Sequence, residues 1–298
     1  MRNRSKIACL LLLTSFAGST VSVRAGNRRT STDRPDDAAV TAIIPLKIYR
    51  NFLVVAEGQI GGVSETQNFI LDTGSSPSII NARLAARLGL STTPSKTTAV
   101  GEAIPIQAAT IPDIELGPIR ALSLPVLVND LSQLERDCGL PIAGIIGLDV
   151  LSKSSFRLDY DTSEIEFGPA SHEGIPVHFD ARAGIAVAEL TLQGRPMRLL
   201  VDTGSEIVVL LGGNFAETGR LDLRNTAQRG TSLAKENTRL QIFSAPDILL
   251  GGQHFSKDEA YVVPGITDPG FDGMLGVRAL GFRALSYDRS SETIFLEK

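Results

Sequence analysis

The sequence predicts an all-β chain that folds into two similar, β-barrel-like lobes related by a pseudo-twofold axis, with a few short helices. Three observations predict this fold. A seven-residue pattern occurs twice, as FILDTGS at 69–75 and as LLVDTGS at 199–205. The flanking segments are short, β-branched runs broken by Gly, Asn and Pro, which is typical of strands and turns. The 298 residues exceed one comfortable hydrophobic core, so two lobes of roughly 130 residues are expected.

The repeated pattern belongs to a longer internal duplication, in which several landmarks recur at nearly constant spacing. The matched landmarks are Asp72 and Asp202, which are 130 positions apart, the GxxG turns at 144–147 and 273–276, and the closing strand-like runs at 156–167 and 282–298. Because repeats at a fixed spacing mark repeated structural units, each half of the chain should form one lobe.

Within each half, apolar runs predict strands and two amphipathic segments predict helices. Strands are expected at 43–49, 52–60, 68–72, 185–193 and 197–202. Asn81 can cap a helix over 81–89 that Gly89 ends, and a second helix is expected within 129–139.

The N-terminal segment reads as a secretory signal. Arg2, Arg4 and Lys6 precede an apolar run at 7–17, and small residues suited to cleavage close residues 1–25. The run is too short to span a bilayer, so no stable membrane anchor is expected. We therefore expect export to the periplasm or the extracellular space.

The composition of the remaining chain predicts a leader followed by two lobes. Residues 26–40 have almost no apolar content and should form a flexible leader. The N-terminal lobe is expected at 41–170 and the C-terminal lobe at 171–298, with the boundary in the Gly-, Pro- and Ser-containing stretch 168–174. Loss of residues 1–25 changes the formal charge from −4 to −8, which argues against nucleic acid as a partner.

The residues that usually hold metals or act as nucleophiles are few. Cys138 would be the single cysteine of the mature chain, so no intramolecular disulfide can form, and burial is its simplest role. His172, His178 and His254 do not form a ligand-spaced cluster. Neither a metal nor another cofactor is expected.

The duplicated aspartates are the candidate catalytic residues. A single Asp-Thr-Gly-Ser after a strand describes many structural turns. Two copies in equivalent positions favour an active site on the pseudo-twofold axis instead. Asp72 and Asp202 held side by side cannot both ionise cheaply, so they would share one proton. The pair could then activate a water molecule and polarise a peptide carbonyl, which is general acid–base hydrolysis.

The other motif residues would support this pair. The glycines allow a sharp turn that brings amide N–H groups to the carboxylates. The serine hydroxyls are expected to donate to the carboxylates, which would lower their pKa values and favour activity at acid pH. The threonines are expected to tie the two loops together across the axis. These supporting residues are Thr73, Gly74 and Ser75 in the first copy and Thr203, Gly204 and Ser205 in the second.

At these residues the chain resembles the aspartic proteases, which carry hydrophobic-hydrophobic-Asp-Thr-Gly-Ser with a downstream hydrophobic-hydrophobic-Gly. Ile145-Ile146-Gly147 and Met274-Leu275-Gly276 supply the downstream elements, and the resemblance covers residues 41–298. It implies a bilobal fold, a catalytic dyad of Asp72 and Asp202, and a cleft for a peptide or protein substrate. The arrangement looks like two retropepsin-like lobes fused in one chain, so a monomer with an intramolecular active site is expected.

Two points stay open at the level of sequence. Gly101 and Gly230 lie at matching distances beyond the aspartates and are candidate flap residues, although two ordinary surface hairpins would explain them equally well. The alternative to an aspartic endopeptidase is an exported peptide-binding protein that uses the protease fold without turnover. Both motifs keep their Asp and Gly, which favours the enzyme.

Overall fold

The computed structural model describes residues 9–10, 42–99, 102–180, 184–215, 229–232, 238–266, 268 and 270–298. The predicted signal segment and leader lie outside this part of the chain, apart from the two-residue strand β1 (Cys9–Leu10). No helix in the described residues is long and apolar enough to cross a membrane.

The N-terminal half is built almost entirely of strands. Its elements are β2 (Ala42–Tyr49), β3 (Leu53–Ile60), β4 (Gln67–Leu71), β5 (Ile79–Asn81), α1 (Ala82–Arg87), β6 (Thr93–Ala99), β7 (Glu102–Leu116), β8 (Ile119–Asn129), α2 (Ser132–Cys138), β9 (Gly144–Ile146), α3 (Leu148–Leu151), β10 (Phe156–Asp159) and β11 (Glu164–Phe167).

The C-terminal half repeats this plan with short 3₁₀ turns in place of helices. Its elements are β12 (Ile175–Asp180), β13 (Ile185–Leu192), β14 (Arg195–Asp202), β15 (Val208–Leu211), a 3₁₀ turn (Gly212–Phe215), β16 (Arg229–Ser232), β17 (Thr238–Arg239), β18 (Gln241–Leu250), β19 (Gln253–Val263), β20 (Gly273–Gly276), a 3₁₀ turn (Val277–Leu280), β21 (Ala284–Asp288) and β22 (Thr293–Glu297).

The all-β bilobal prediction is confirmed, and the predicted strands and helices agree with the structure to within about two residues at most ends. The best-defined helix start is that of α1. There the Asn81 side chain accepts a hydrogen bond from the Arg83 amide at 3.1 Å, as expected of an N-cap. Cys138 is a free cysteine that is buried at the end of α2.

Both lobes place the downstream glycine turn next to the strand that carries the aspartate. In the N-terminal lobe, β9 lies between β4, to which it is parallel, and β5, to which it is antiparallel. In the C-terminal lobe, β20 lies in the same way between β14 and β15. The duplication in sequence is therefore a duplication in strand order.

A six-stranded antiparallel sheet joins the two lobes. Its order is β2, β11, β10, β21, β22, β12, with three strands from each half. The two halves meet at the central β10–β21 pair, where Phe156 lies opposite Tyr287. The aromatic rings of these two residues are 5.8 Å apart, so the lobes share packing as well as hydrogen bonds.

A buried charge cluster crosses the same boundary. The Arg157 guanidinium contacts Asp159 at 2.7 Å within its own lobe and Glu297 of the other lobe at 2.9 Å. Glu297 also accepts from the Ser286 hydroxyl at 2.9 Å. Asp159 and Glu297 are almost fully buried, and their contacts with Arg157 and Ser286 compensate for the cost of removing two charges from water.

One large hydrophobic core runs through both lobes and the shared sheet. Each lobe adds a smaller cluster on the other face of the strand that leads to its aspartate. One of these contains Ile70 and Ile79, and the other contains Leu200 and Val209. The strands that lead to the aspartates are thus buried on both sides, which fixes the positions of their ends.

Candidate active site

The two aspartates lie at strand ends, on loops held from below by the glycine turns. The Asp72 amide donates to the Ile146 carbonyl at 2.9 Å, and the Gly276 amide donates to the Ile207 carbonyl at 3.0 Å. A Cβ on Gly147 or on Gly276 would collide with a backbone carbonyl of the loop above it. Only glycine lets the turn approach so closely, which explains why both copies of the GxxG turn end in this residue.

The two loops are joined by a reciprocal set of buried hydrogen bonds through their threonines. The Thr73 hydroxyl donates to the Val201 carbonyl at 2.9 Å and accepts from the Thr203 amide at 3.1 Å. The Thr203 hydroxyl donates to the Leu71 carbonyl at 3.0 Å and accepts from the Thr73 amide at 3.0 Å. These four bonds are the cross-axis tie predicted for the threonines.

This tie brings the two carboxyl groups together. Asp72 Oδ1 accepts from the Gly74 amide at 2.9 Å, and Asp202 Oδ1 accepts from the Gly204 amide at 2.7 Å. Gly74 also lies against the opposite carboxyl, because a Cβ there would be 2.7 Å from Asp202 Cγ. The Oδ2 atoms are buried without a hydrogen-bond partner among the described residues, and the two carboxyl groups are close enough for each to act on the pKa of the other.

Burial raises the pKa of both aspartates. Burial raises the pKa of Asp72 to about 6, against the hydrogen bonds from Asp202 and from the Gly74 and Gly204 amides, which lower it. Burial, the charge of Asp72 and the hydrogen bond to it raise the pKa of Asp202 well above its usual range. The pair titrates in two coupled steps, between which it carries one proton.

The sequence profile of a family described as aspartyl protease matches residues 56–150 and 188–279. The two matched stretches are the two lobes, and together they cover more than half of the chain. The chain belongs to the aspartyl protease family. No curated protein matched the chain in a sequence search.

In this aspartyl protease the serines of the two motifs do not have the expected partners. The Ser205 hydroxyl donates to the Ile207 carbonyl at 3.2 Å, and the Ser75 hydroxyl is buried without a hydrogen-bond partner among the described residues. The prediction that both hydroxyls donate to the carboxylates is therefore wrong. After the glycine, the turn directs the Ser205 hydroxyl onto the backbone two residues ahead, as serine often does in turns.

The protease loops contain one support that the sequence did not reveal. Asp149, two residues beyond Gly147, accepts from the Ser78 amide at 3.0 Å and from the Ser78 hydroxyl at 2.7 Å. The Ser78 hydroxyl in turn accepts from the Gly147 amide at 3.0 Å. The corresponding positions of the C-terminal lobe are Val208 and Arg278, so a search for duplicated residues could not have found this contact.

The two candidate flap residues differ in what the structure describes around them. β6 and β7 form a hairpin whose last pair is Ala99 and Glu102, and Gly101 lies outside the described residues. Gly230 lies within β16, where it pairs with Thr238 of β17. β16 also pairs in parallel with β1. The flap role of Gly101 and Gly230 stays a prediction.

Within the described ranges, no three His, Cys, Asp or Glu side chains are grouped closely enough to hold a metal ion.

Proposed function

We propose that this protein is an aspartic endopeptidase and that Asp72 and Asp202 are its catalytic residues. The observation that carries the proposal is the pair of buried carboxyl groups on two equivalent loops, which reciprocal threonine hydrogen bonds hold side by side. Such a pair keeps one proton over a wide pH range. That state contains both a general base and a general acid.

Each aspartate accepts a hydrogen bond from the glycine amide of its own loop, so the two loops are equivalent in this respect. In the singly protonated pair, the ionised aspartate accepts a proton from the attacking water, and the protonated aspartate donates toward the scissile carbonyl. When the tetrahedral intermediate collapses, the aspartate that took the proton from water protonates the leaving amine, and a proton of the intermediate returns to the other aspartate. The reaction needs no covalent intermediate.

The proposed partners are peptides or unfolded stretches of protein, bound in an extended form in the cleft between the lobes by a monomeric enzyme. We also propose that residues 1–25 direct export and are removed. N-terminal sequencing of protein recovered from outside the cytoplasm would test the export proposal, which predicts a start shortly after residue 25.

The test of catalysis uses the wild-type protein, Asp72→Asn and Asp202→Asn, with a diverse peptide mixture, a range of pH values and mass spectrometry of the products. An amide keeps the shape of the side chain but cannot share the proton, so each variant should lower kcat/KM by about 10³-fold or more. Asp130→Asn, which changes an exposed aspartate, is the matched control and should leave the rate unchanged.

Internal cleavage sites that pepstatin suppresses would support an endopeptidase. Near-wild-type turnover by either dyad variant would refute the assignment of the two aspartates. Peptide binding without any cleavage by the wild type would refute endopeptidase activity and leave a binding protein.

A further inference from the structure

The loops that carry the two aspartates differ at the second residue after the motif serine. That residue is Pro77 in the N-terminal lobe and Ile207 in the C-terminal lobe. In the C-terminal loop, the Ser205 hydroxyl donates to the Ile207 carbonyl at 3.2 Å and accepts from the Ile207 amide at 3.4 Å. Because proline has no N–H, the N-terminal loop cannot form the second of these bonds. The Ser75 hydroxyl is buried without a hydrogen-bond partner among the described residues.

The glycine that ends each GxxG turn also binds its loop differently in the two lobes. The Gly276 amide donates to the backbone carbonyl of Ile207 at 3.0 Å. The Gly147 amide donates instead to the side-chain hydroxyl of Ser78 at 3.0 Å. A serine hydroxyl has three staggered positions about χ1, so Ser78 can hold the turn only while its own side chain is held.

Asp149 holds that side chain. Its Oδ1 accepts from the Ser78 hydroxyl at 2.7 Å, and its Oδ2 accepts from the Ser78 amide at 3.0 Å. Hydrogen bonds to a charged acceptor are stronger than those between neutral groups, so these two bonds fix both the rotamer and the backbone of Ser78. At the equivalent positions of the C-terminal lobe, Val208 has no hydroxyl and the Arg278 side chain cannot accept a hydrogen bond.

The turn that Asp149 steadies is hydrogen-bonded to both ends of the Asp-Thr-Gly-Ser segment in its own lobe. The Asp72 amide donates to the Ile146 carbonyl at 2.9 Å, and the Leu148 amide donates to the Ser75 carbonyl at 3.0 Å. These two bonds lie on either side of the glycine of the turn. A displacement of that glycine would therefore move the catalytic carboxyl group as well.

We propose that Asp149 is a positioning residue, which acts through Ser78 to hold the loop of Asp72 in place beside Asp202. This inference rests on the proposed function of the two aspartates. Asp149 and Ser78 replace the hydrogen bond that Pro77 cannot supply, which explains why the arrangement occurs in one lobe and not in the other.

The first experiment measures kcat and KM for the wild type, Asp149→Ala, Asp149→Asn and Ser78→Ala with one cleaved peptide at a fixed pH. Asp149→Ala should lower kcat about 10- to 100-fold, because a small displacement of a reacting group has an effect of this size. KM should change by less than about threefold, since the side chain is not proposed to touch substrate. Asp149→Asn keeps one acceptor oxygen for Ser78 and should retain more of kcat than Asp149→Ala.

Ser286→Ala is the matched control. Ser286 is a buried serine of β21, in the shared sheet, and its hydroxyl donates to the buried carboxylate of Glu297 at 2.9 Å. Ser286→Ala and Ser78→Ala each remove a hydrogen bond between a buried serine and a carboxylate, so both should lower the urea midpoint of unfolding. Only Ser78→Ala should lower kcat.

A second measurement separates this inference from the proposed function. Titration of carboxyl-¹³C-labelled aspartate by NMR follows the dyad, whose resonances are those missing from Asp72→Asn and Asp202→Asn. Two carboxyl groups that move apart interact less, so the gap between their two apparent pKa values narrows. The gap should narrow in Asp149→Ala and stay at the wild-type value in Ser286→Ala, whether or not the protein cleaves peptides.

Wild-type cleavage together with an unchanged kcat and an unchanged gap in Asp149→Ala would overturn the positioning role alone. An equal loss of kcat in Ser286→Ala would also overturn it, because the effect would then follow stability. If the wild type cleaves no peptide but the gap still narrows in Asp149→Ala, the proposed function falls and the positioning of the loop stands. If Asp149→Ala does not fold, Asp149→Asn and Ser78→Ala carry both measurements.

Discussion

The threonine tie makes a quantitative prediction about stability. Thr73→Val keeps the shape of the side chain but removes the hydroxyl that links the loops. Two buried backbone groups then lose their partner, namely the Val201 carbonyl at 2.9 Å and the Thr203 amide at 3.1 Å. An unsatisfied buried polar group costs about 1–3 kcal/mol, so the free energy of unfolding should fall by about 2–6 kcal/mol.

Thr73→Ser is the matched control because it keeps the hydroxyl and loses only a methyl group. Its cost should be about 1 kcal/mol. Urea-induced unfolding, followed by circular dichroism at fixed pH, measures both values, and peptide cleavage at the same pH measures the effect on the dyad. A Thr73→Val variant as stable and as active as Thr73→Ser would show that the cross-axis bonds do not hold the two loops together.

Three further predictions concern the loops. Gly74→Ala should abolish cleavage, because its Cβ would lie 2.7 Å from Asp202 Cγ and force the carboxyl groups apart; activity within tenfold of wild type would contradict this. Ser75→Ala combined with Ser205→Ala should leave the pH optimum unchanged, since neither hydroxyl bonds a carboxylate, and a clear shift toward neutral pH would count against the observed geometry. Asp72→Asn should gain stability relative to wild type as pH rises from about 4 to about 7, by on the order of 2–3 kcal/mol. The sign follows from the pKa of Asp72, which burial raises from 3.8 to about 6. A carboxyl group whose pKa is raised on folding stabilises the fold at low pH and loses that contribution as pH rises. Unfolding curves measured at several pH values would test this expectation.

Much of the site could be predicted because its motif residues occur twice in the sequence at matched positions. Two equivalent strands that end in Asp-Thr-Gly-Ser, each with a glycine turn at the same distance, specify two equivalent loops, and the threonine tie follows from their symmetry. Local signals were equally informative for α1, where Asn81 caps the helix as predicted. In these cases the residues that decide the structure are close in sequence or occur twice.

The features that could not be predicted depend on asymmetry or on long-range pairing. The Asp149–Ser78 hydrogen bond and the cation–π contact between Arg278 and the Tyr160 ring both involve the matched positions 149 and 278. Because the two lobes carry different residues at these positions, the sequence repeat does not predict either contact. The strands at 156–159 and 284–288 were expected as strands, but their pairing with each other is decided only when the lobes dock. The direction of each serine hydroxyl depends on the side-chain rotamer and on the backbone partners that the turn offers, which a short motif does not encode.

The shared six-stranded sheet has a mechanical consequence. Since its central pair joins β10 of one half to β21 of the other, the halves cannot swing apart as rigid bodies without breaking the hydrogen bonds of that pair. Because both halves belong to one chain, their effective concentration is fixed by the linker between them and not by the amount of protein in solution. Dilution, which would separate two independent subunits, leaves Asp72 and Asp202 together.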